Sequence, residues 1–149
     1  AHQGLQEYQA PVEYGRSEII RKGKKIAVLG VGSMIPSCME ICKGLKDDGY
    51  DPTFVNVRFV KPLDVDLLDE LAKDHSLFVT VEENVKSGGY GEHVSAYMEA
   101  CHPEIRVLSA AVWDRFVPQG NVESLRSRIG LGVEDIRQAI EDSEELREQ

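Results

Sequence analysis

Short apolar runs alternate with amphipathic stretches along the chain, which is the pattern of a parallel sheet covered by helices. Lys25–Val31 is almost entirely apolar, as expected for a strand that is buried on both faces. Similar runs at Thr53–Val57, Leu77–Val81 and Ile105–Ala111 predict three more strands. The alternation predicts an α/β fold with a mostly parallel sheet.

The first predicted helix spans Pro36–Asp48, with Ser33 as its N-cap and Gly49 as its stop. Its cysteines, Cys38 and Cys42, are four residues apart and would share one helix face. A thiolate pair is one interpretation of this spacing, but burial on the core-facing stripe is favoured. That stripe would also contain Ile35, Met39 and Leu45.

The later helices follow the same spacing of apolar residues. Asp64 is predicted to open the second helix, because Pro62 breaks the extended segment before it. A glycine-rich loop, Ser87–Gly91, leads into a helix that ends near Ala100. Two closing helices are predicted at Asn121–Arg128 and Val133–Leu146.

The start of the chain is predicted to add an antiparallel edge strand. Ser17–Arg21 is extended in pattern, and the short connection Lys22–Lys24 suits a hairpin with the first central strand. Residues 1–12 are interpreted as a linker or a cloning remnant, and residues 13–149 as one domain.

Composition narrows the class of protein. Apolar residues make up 42% of the chain and charged residues 29%, which fits a globular domain, and no apolar run approaches the length of a membrane span. The net charge of −9 opposes binding to nucleic acid or anionic lipid. The N-terminal residues lack the features of a signal peptide, and three cysteines without a CxxC pair fit a reducing compartment, so a cytoplasmic setting is expected.

Two segments at predicted strand ends carry candidate chemistry. Gly30–Ser33 lies between a strand and a helix, where a phosphate would bind, but Ile35 replaces the third glycine of the dinucleotide motif. A tight turn that requires glycine is therefore favoured. Glu82–Asn84 ends another strand, and its paired carboxylates would bind a cation or perform acid–base chemistry. The favoured alternative is that one carboxylate accepts hydrogen bonds from loop N–H groups while the other faces solvent or an adjoining domain.

The histidines give no metal motif. His75 is predicted at a helix end, His93 lies early in the next helix, and His102 precedes a proline. None has ligand partners at recognisable spacing, so helix-end or surface positions are favoured. No serine lies in a GxSxG motif.

Four segments, in order, resemble the deoxyxylulose-phosphate synthases, a family of thiamine-diphosphate enzymes. They are Glu13–Ser17, the RFVKPLD stretch Arg58–Asp64, VTVEEN with the following GGxG at Val79–Gly91, and DRFVPQG at Asp114–Gly120. The similarity extends from about Pro11 to Ile140. One departure is Trp113, which stands where the family usually has proline.

The resemblance implies a transketolase-type C-terminal domain with three layers, α/β/α, around a five-stranded, mostly parallel sheet with one antiparallel edge strand. In that family the complete enzyme condenses pyruvate with glyceraldehyde 3-phosphate on thiamine diphosphate, for isoprenoid synthesis. Thiamine diphosphate and magnesium are bound by two upstream domains, partly through a GDG motif. No GDG occurs in this chain, so no catalytic, cofactor-binding or metal-binding residue is expected here.

The resemblance further implies a structural role, with the upstream domains of the same polypeptide and a second copy in a homodimer as partners. The principal docking surface is expected at Trp113–Gly120, where aromatic residues lie in a stretch without periodicity; the alternative is that they pack as core. The expected interface residues are Arg58, Phe59, Lys61, Glu82, Glu83, Asn84, Gly88, Gly89, Gly91, Asp114, Arg115 and Phe116.

Two rival functions stay open. The first is the same domain of a transketolase or of a 2-oxoacid dehydrogenase beta subunit, which would keep the fold and change the reaction. The second is a free-standing domain that binds a small molecule through Gly30–Ser33 and Glu82–Asn84.

Overall fold

A computed structural model describes residues 15–83, 89–112 and 132–148. Its strands are β1 (Glu18–Arg21), β2 (Lys25–Val31), β3 (Thr53–Val57), β4 (His75–Glu83) and β5 (Arg106–Val112). Its helices are α1 (Ile35–Asp47), α2 (Val65–Ala72), α3 (Tyr90–Cys101) and α4 (Val133–Glu148), with a 3-10 turn at Gly32–Met34. The predicted linker at 1–12, the segment Trp113–Gly120 and the helix at Asn121–Arg128 lie outside the described residues.

The five strands form one sheet in the order β1-β3-β2-β4-β5. Only the pairing of β1 with β3 is antiparallel; the other neighbours are parallel. The predicted five-stranded, mostly parallel sheet with an antiparallel edge strand is therefore confirmed.

Helices cover both faces of the sheet. One core contains Ile26 and Val28 of β2, the inner face of α1, and Ile136 of α4. The other core contains Leu29 of β2, Leu68 of α2 and residues of α3 such as Val94. Side chains of the central strand thus alternate between two cores, which is why the β2 sequence is apolar throughout.

The predicted hairpin between β1 and β2 is wrong, because β3 lies between these strands. The connection between β1 and β2, Lys22–Lys24, crosses the start of β3 instead. There the Gly23 N–H donates to Thr53 Oγ1 at 2.8 Å and the Lys24 N–H donates to the Asp51 carbonyl at 2.7 Å. These two bonds satisfy backbone donors that a hairpin would have paired within its own turn.

The start of α1 also differs from the prediction. The helix begins at Ile35 after Met34, without a side-chain cap, so Ser33 is not the N-cap. Gly49 does end the helix region, with a φ of +99° that favours glycine. Met39 is 59% exposed and does not belong to the buried stripe, because the core is filled by the adjacent face of α1. That face consists of Cys38, Ile41, Cys42 and Leu45.

The predicted role of Asp64 as a helix start is confirmed. Its carboxylate accepts a hydrogen bond from the Leu67 N–H at 3.2 Å, in the first turn of α2. The same carboxylate accepts from the Ser17 N–H at 2.8 Å and pairs with Arg16 at 3.2 Å. One side chain therefore caps α2 and fixes the segment that leads into β1.

Candidate functional site

The parallel strands β2, β3, β4 and β5 all end at one edge of the sheet, where ligands commonly bind in α/β folds. The predicted interface residues of the described chain follow β3 and β4 at this edge. Because β2 separates those two strands, the residues after β3 lie about 10 Å from those after β4. The carboxyl edge thus carries two separate groups of predicted interface residues, one after β3 and one at the end of β4 and beyond it.

Glu82, near the end of β4, is buried although it is ionisable, with 8% of its surface exposed. Its Oε1 accepts a hydrogen bond from the Tyr90 N–H at 2.9 Å, and its Oε2 accepts from the Gly91 N–H at 2.8 Å. These N–H groups open α3 and have no partner within the helix. The carboxylate therefore caps the positive end of α3, in agreement with the favoured interpretation.

Gly91 is a glycine because the chain approaches its neighbours too closely for a side chain. A Cβ there would lie 2.8 Å from Thr80 Oγ1 and 2.9 Å from both Glu82 Oε2 and Ser109 Oγ. The Thr80 hydroxyl is buried and has no hydrogen-bond partner within the described part of the chain. The glycine of the GGxG element at 91 is thus required for packing against β4 and β5.

Glu83 is exposed, and its Oε1 accepts a hydrogen bond from Ser33 Oγ at 2.7 Å. This carboxylate places negative charge beside the turn that precedes α1, where a phosphate would have to bind. Gly30 also has a packing role, since a Cβ there would lie 2.7 Å from the Cys38 sulfur. The geometry favours the tight-turn interpretation of Gly30–Ser33 over an anion site.

The group after β3 is organised differently. Arg58 pairs with Glu18 of the edge strand at 2.8 Å. Phe59 is half-buried, and Lys61 is exposed next to the cis Lys61–Pro62 peptide bond. Neither Arg58 nor Lys61 is brought to Glu82, so the predicted residues do not converge on one catalytic centre.

Five predicted interface residues lie outside the described residues: Asn84, Gly88, Asp114, Arg115 and Phe116. Gly89 is described and is the N-cap residue of α3.

The prediction for His75 is wrong: it begins β4 and is buried. Its Nδ1 lies 2.8 Å from the Leu71 carbonyl and 2.6 Å from Asp74 Oδ1, and its Nε2 lies 2.7 Å from Thr53 Oγ1. Thr53, His75 and Asp74 have the connectivity of a nucleophilic triad. Thr53 is fully buried and already accepts the Gly23 N–H, so no substrate can reach it. The cluster ties β3 to β4 and to the crossing connection.

His102 and Tyr97 both contact Asp69 on the surface. The Tyr97 hydroxyl donates to Asp69 Oδ1 at 2.7 Å, and His102 Nε2 lies 2.7 Å from the same oxygen. These contacts, that of Tyr97 first, hold the pKa of Asp69 below its ordinary value. The cluster joins α2 to the end of α3.

The remaining ionisable groups of the described residues do not form a metal site. Over residues 15–83, 89–112 and 132–148, no group of three or more His, Cys, Asp or Glu side chains could hold a metal ion. Burial raises the pKa of the Cys38 and Cys42 thiols to about 12, so they are inert. The described residues do not fit a magnesium-bound diphosphate. None of the described helices is long and apolar enough to cross a membrane.

The chain is similar to known proteins over most of its length. The family described as "Transketolase, C-terminal domain" matches residues 15–136. A 1-deoxy-D-xylulose-5-phosphate synthase from Dictyoglomus thermophilum is 40% identical over 137 residues, and one from Chlorobaculum tepidum is 38% identical over 126. These matches cover 92% and 85% of this chain. The chain spans only 22% and 20% of the two relatives.

Two solved structures extend the likeness to the fold. One is titled as a split-gene transketolase, an inactive beta4 tetramer; it is 28% identical, with a TM-score of 0.74, and the match covers 89% of this chain and 43% of that one. The other is the transketolase of Campylobacter jejuni, 17% identical with a TM-score of 0.56, covering 91% of this chain and 20% of that one. The second likeness concerns the fold alone.

Proposed function

The chain belongs to the transketolase C-terminal domain family, and from that premise we propose that it is the C-terminal domain of a 1-deoxy-D-xylulose-5-phosphate synthase. The complete enzyme would condense pyruvate with glyceraldehyde 3-phosphate, releasing carbon dioxide and forming an isoprenoid precursor. In this proposal the present domain supports assembly and has no catalytic activity alone.

One observation carries the choice of reaction. The relatives that are 38–40% identical over at least 85% of this chain are 1-deoxy-D-xylulose-5-phosphate synthases. The transketolase of Campylobacter jejuni is 17% identical, although its fold is similar. Identity of 38–40% to the synthases, against 28% to the split-gene transketolase and 17% to the transketolase of Campylobacter jejuni, favours the synthase over a transketolase.

The non-catalytic role is supported by the carboxyl edge of the sheet. Its best candidate acid, Glu82, uses both oxygens to cap α3. If the Glu82 carboxylate turned toward a substrate, the N–H groups of Tyr90 and Gly91 would be left buried without hydrogen-bond partners. Glu82 therefore acts on the structure of the domain rather than on a substrate.

The split-gene transketolase also supports a non-catalytic role for this domain. That protein is an inactive beta4 tetramer. A chain that contains this domain without the rest of the enzyme would be expected to be inactive in the same way. Separate encoding of the upstream domains is compatible with the proposal.

We place thiamine diphosphate and magnesium on the upstream domains, where the cofactor would serve as the electron sink for the carbanion. The partners would be those domains and a second copy in a cytoplasmic homodimer. Trp113–Gly120, with Asp114, Arg115 and Phe116, stays a proposed docking segment, as do Asn84 and Gly88.

A chimera tests the function. We would join the upstream part of the Dictyoglomus thermophilum synthase to this chain and measure 1-deoxy-D-xylulose 5-phosphate formed from pyruvate and glyceraldehyde 3-phosphate. We expect turnover within about tenfold of the parent enzyme, equivalent to about 1.4 kcal/mol in the barrier. This chain alone, and the upstream part alone, should form no product.

A companion variant is the same chimera with Glu82→Ala, which should be destabilised by about 2–4 kcal/mol and should lose turnover only as far as the domain unfolds. A folded chimera without turnover would contradict the synthase assignment. Product formed by this chain alone would contradict the structural role.

A further inference from the structure

The RFVKPLD stretch, Arg58–Asp64, follows β3 at the carboxyl edge and contacts the chain where it enters the domain. At one end of the stretch, Arg58 pairs with Glu18, the first residue of β1, at 2.8 Å. At the other end, the Asp64 carboxylate accepts a hydrogen bond from the Ser17 N–H at 2.8 Å. Both ends of the stretch therefore hold residues at the start of the edge strand.

The two residues before Ser17 are held by the same part of the chain. Arg16 pairs with Asp64 at 3.2 Å and with Asp66 at 2.9 Å. Gly15 has a φ of +79°, which favours glycine, and a Cβ there would lie 2.8 Å from Pro62 Cγ. The backbone at Gly15 thus packs against Pro62 too closely for a side chain.

These contacts lie outside the ladder that holds the edge strand. β1 pairs with β3 through Glu18, Ile19 and Arg21, so the ladder does not need residues 15–17. The far end of β1 is fixed separately, since Arg21 pairs with Asp51 at 2.8 Å. The contacts of residues 15–17 therefore fix the direction in which the chain enters, in addition to the position of the strand.

The Asp64 carboxylate connects the entering chain to a helix. It is buried, with 7% of its surface exposed, and it accepts from the Leu67 N–H in the first turn of α2 as well as from the Ser17 N–H. Hydrogen bonds to a charged acceptor are stronger than those between neutral groups. The entering chain is therefore attached to α2 before it reaches β1.

We propose that Arg58, Pro62 and Asp64 form an entry clamp, which fixes the orientation of this domain relative to the upstream domain of the same polypeptide. This inference rests on the proposed function, which supplies the upstream domain. The local concentration of a tethered domain depends on the length and stiffness of its linker, so a clamped entry favours one arrangement of the two domains. The RFVKPLD stretch then has a positioning role, exerted through the entering chain.

Arg16→Ala tests the entry clamp, with Arg21→Ala as the matched control. Both arginines are partly exposed and ion-paired, but Arg16 lies before β1 and Arg21 at its end. In the isolated chain each substitution should lower the melting temperature by less than about 4 °C, because exposed ion pairs contribute little. Arg16→Ala alone should accelerate hydrogen exchange of the Ser17 N–H, by about threefold or more.

The chimera described above tests the consequence for the enzyme. Arg16→Ala should lower its turnover by about tenfold or more, since small misplacements far from the chemistry are costly, while Arg21→Ala should stay within about twofold of the parent. Arg16→Lys should recover part of the loss, because an ammonium group can still pair with Asp64 and Asp66.

A distance measurement reports the orientation directly. Cys101 is exposed while Cys38 and Cys42 are buried, so a spin label on Cys101 can be paired with one on the upstream part of the chimera. The distribution of distances between the labels should broaden in Arg16→Ala and stay unchanged in Arg21→Ala. Gly15→Ala, which displaces the entering chain from Pro62 without removing a charge, should broaden it as well.

The outcomes separate this inference from the proposed function. Equal turnover and equal distance distributions for Arg16→Ala and Arg21→Ala in an active chimera would overturn the entry clamp alone. A loss of more than about 4 °C in isolated Arg16→Ala, with an unchanged distribution in Gly15→Ala, would also overturn it, because Arg16 would then only stabilise the domain. A folded chimera without turnover would contradict the proposed function, while the distance measurement would still test the clamp.

Discussion

The carboxyl edge of the sheet differs in character from a groove of about 550 Å³ between β1 and α1, whose apolar lining includes Ile20, Met39 and Phe54. At the carboxyl edge, charged residues such as Glu82 and Arg58 already have partners within the domain. In the groove, Ile20 and Met39 are exposed to water. Conspicuous charged motifs can thus maintain the fold, while less conspicuous apolar side chains stay exposed to water.

The largest expected effect concerns Glu82. In the isolated chain, Glu82→Ala should lower the free energy of unfolding by about 2–4 kcal/mol, because it leaves the Tyr90 and Gly91 N–H groups unsatisfied at the start of α3. Urea denaturation measures the loss. Glu83→Ala is the control and should cost less than about 0.5 kcal/mol, since that carboxylate is exposed. Equal losses would mean that Glu82 is not a structural cap.

Gly91→Ala should give the next largest effect. The added methyl would lie within 3 Å of Thr80, Glu82 and Ser109, so we expect a loss of about 1–3 kcal/mol in the free energy of unfolding. Gly132→Ala is the control, because its Cβ would lie 3.8 Å from Asp135 Oδ2, an ordinary contact. If Gly91→Ala left the free energy of unfolding unchanged, the carboxyl edge would be less tightly packed than its contacts indicate.

The smallest effect is expected at Asp69, which lies away from both surfaces and provides a reference. Its pKa is lowered by Tyr97 and His102, so its ionised form stabilises the fold above the unfolded pKa of about 4. That stability is lost as the pH falls through the lower folded pKa. Asp69→Asn should therefore lose slightly less stability than the unmodified chain as the pH falls below about 4.

Melts at several pH values measure this difference, with Glu99→Gln as the control. The difference should be small because the Asp69 side chain is 48% exposed. A steeper acid limb in Asp69→Asn than in the unmodified chain would contradict the assigned direction of the shift.

The sequence was sufficient where local pattern decides the structure. Thr53–Val57 is a strand with the predicted bounds, since a short apolar run between turns has few alternatives. The favoured interpretation of Glu82–Asn84, that one carboxylate accepts hydrogen bonds from N–H groups of the following loop, also agrees with the structure, in which Glu82 accepts from Tyr90 and Gly91.

The sequence was insufficient where tertiary contacts decide. The short connection at Lys22–Lys24 suggested a hairpin, but bonds to Asp51 and Thr53 carry it across β3. Met39 has the spacing of a core residue, yet α1 fills its core without it. His75 looked like a helix end because Thr53 is distant in the sequence, while Leu71 contributes only a backbone carbonyl from the last turn of α2. The predicted sites at Asn84, Gly88 and 114–116 stay predictions.

We propose that this domain maintains the structure of the enzyme and binds no cofactor by itself. Titration calorimetry of the isolated chain with thiamine diphosphate and magnesium tests it most directly, because a magnesium-bound diphosphate requires oxygen ligands that the described residues do not assemble. We expect no saturable heat. Saturable binding in the micromolar range, equivalent to about 8 kcal/mol, would contradict it.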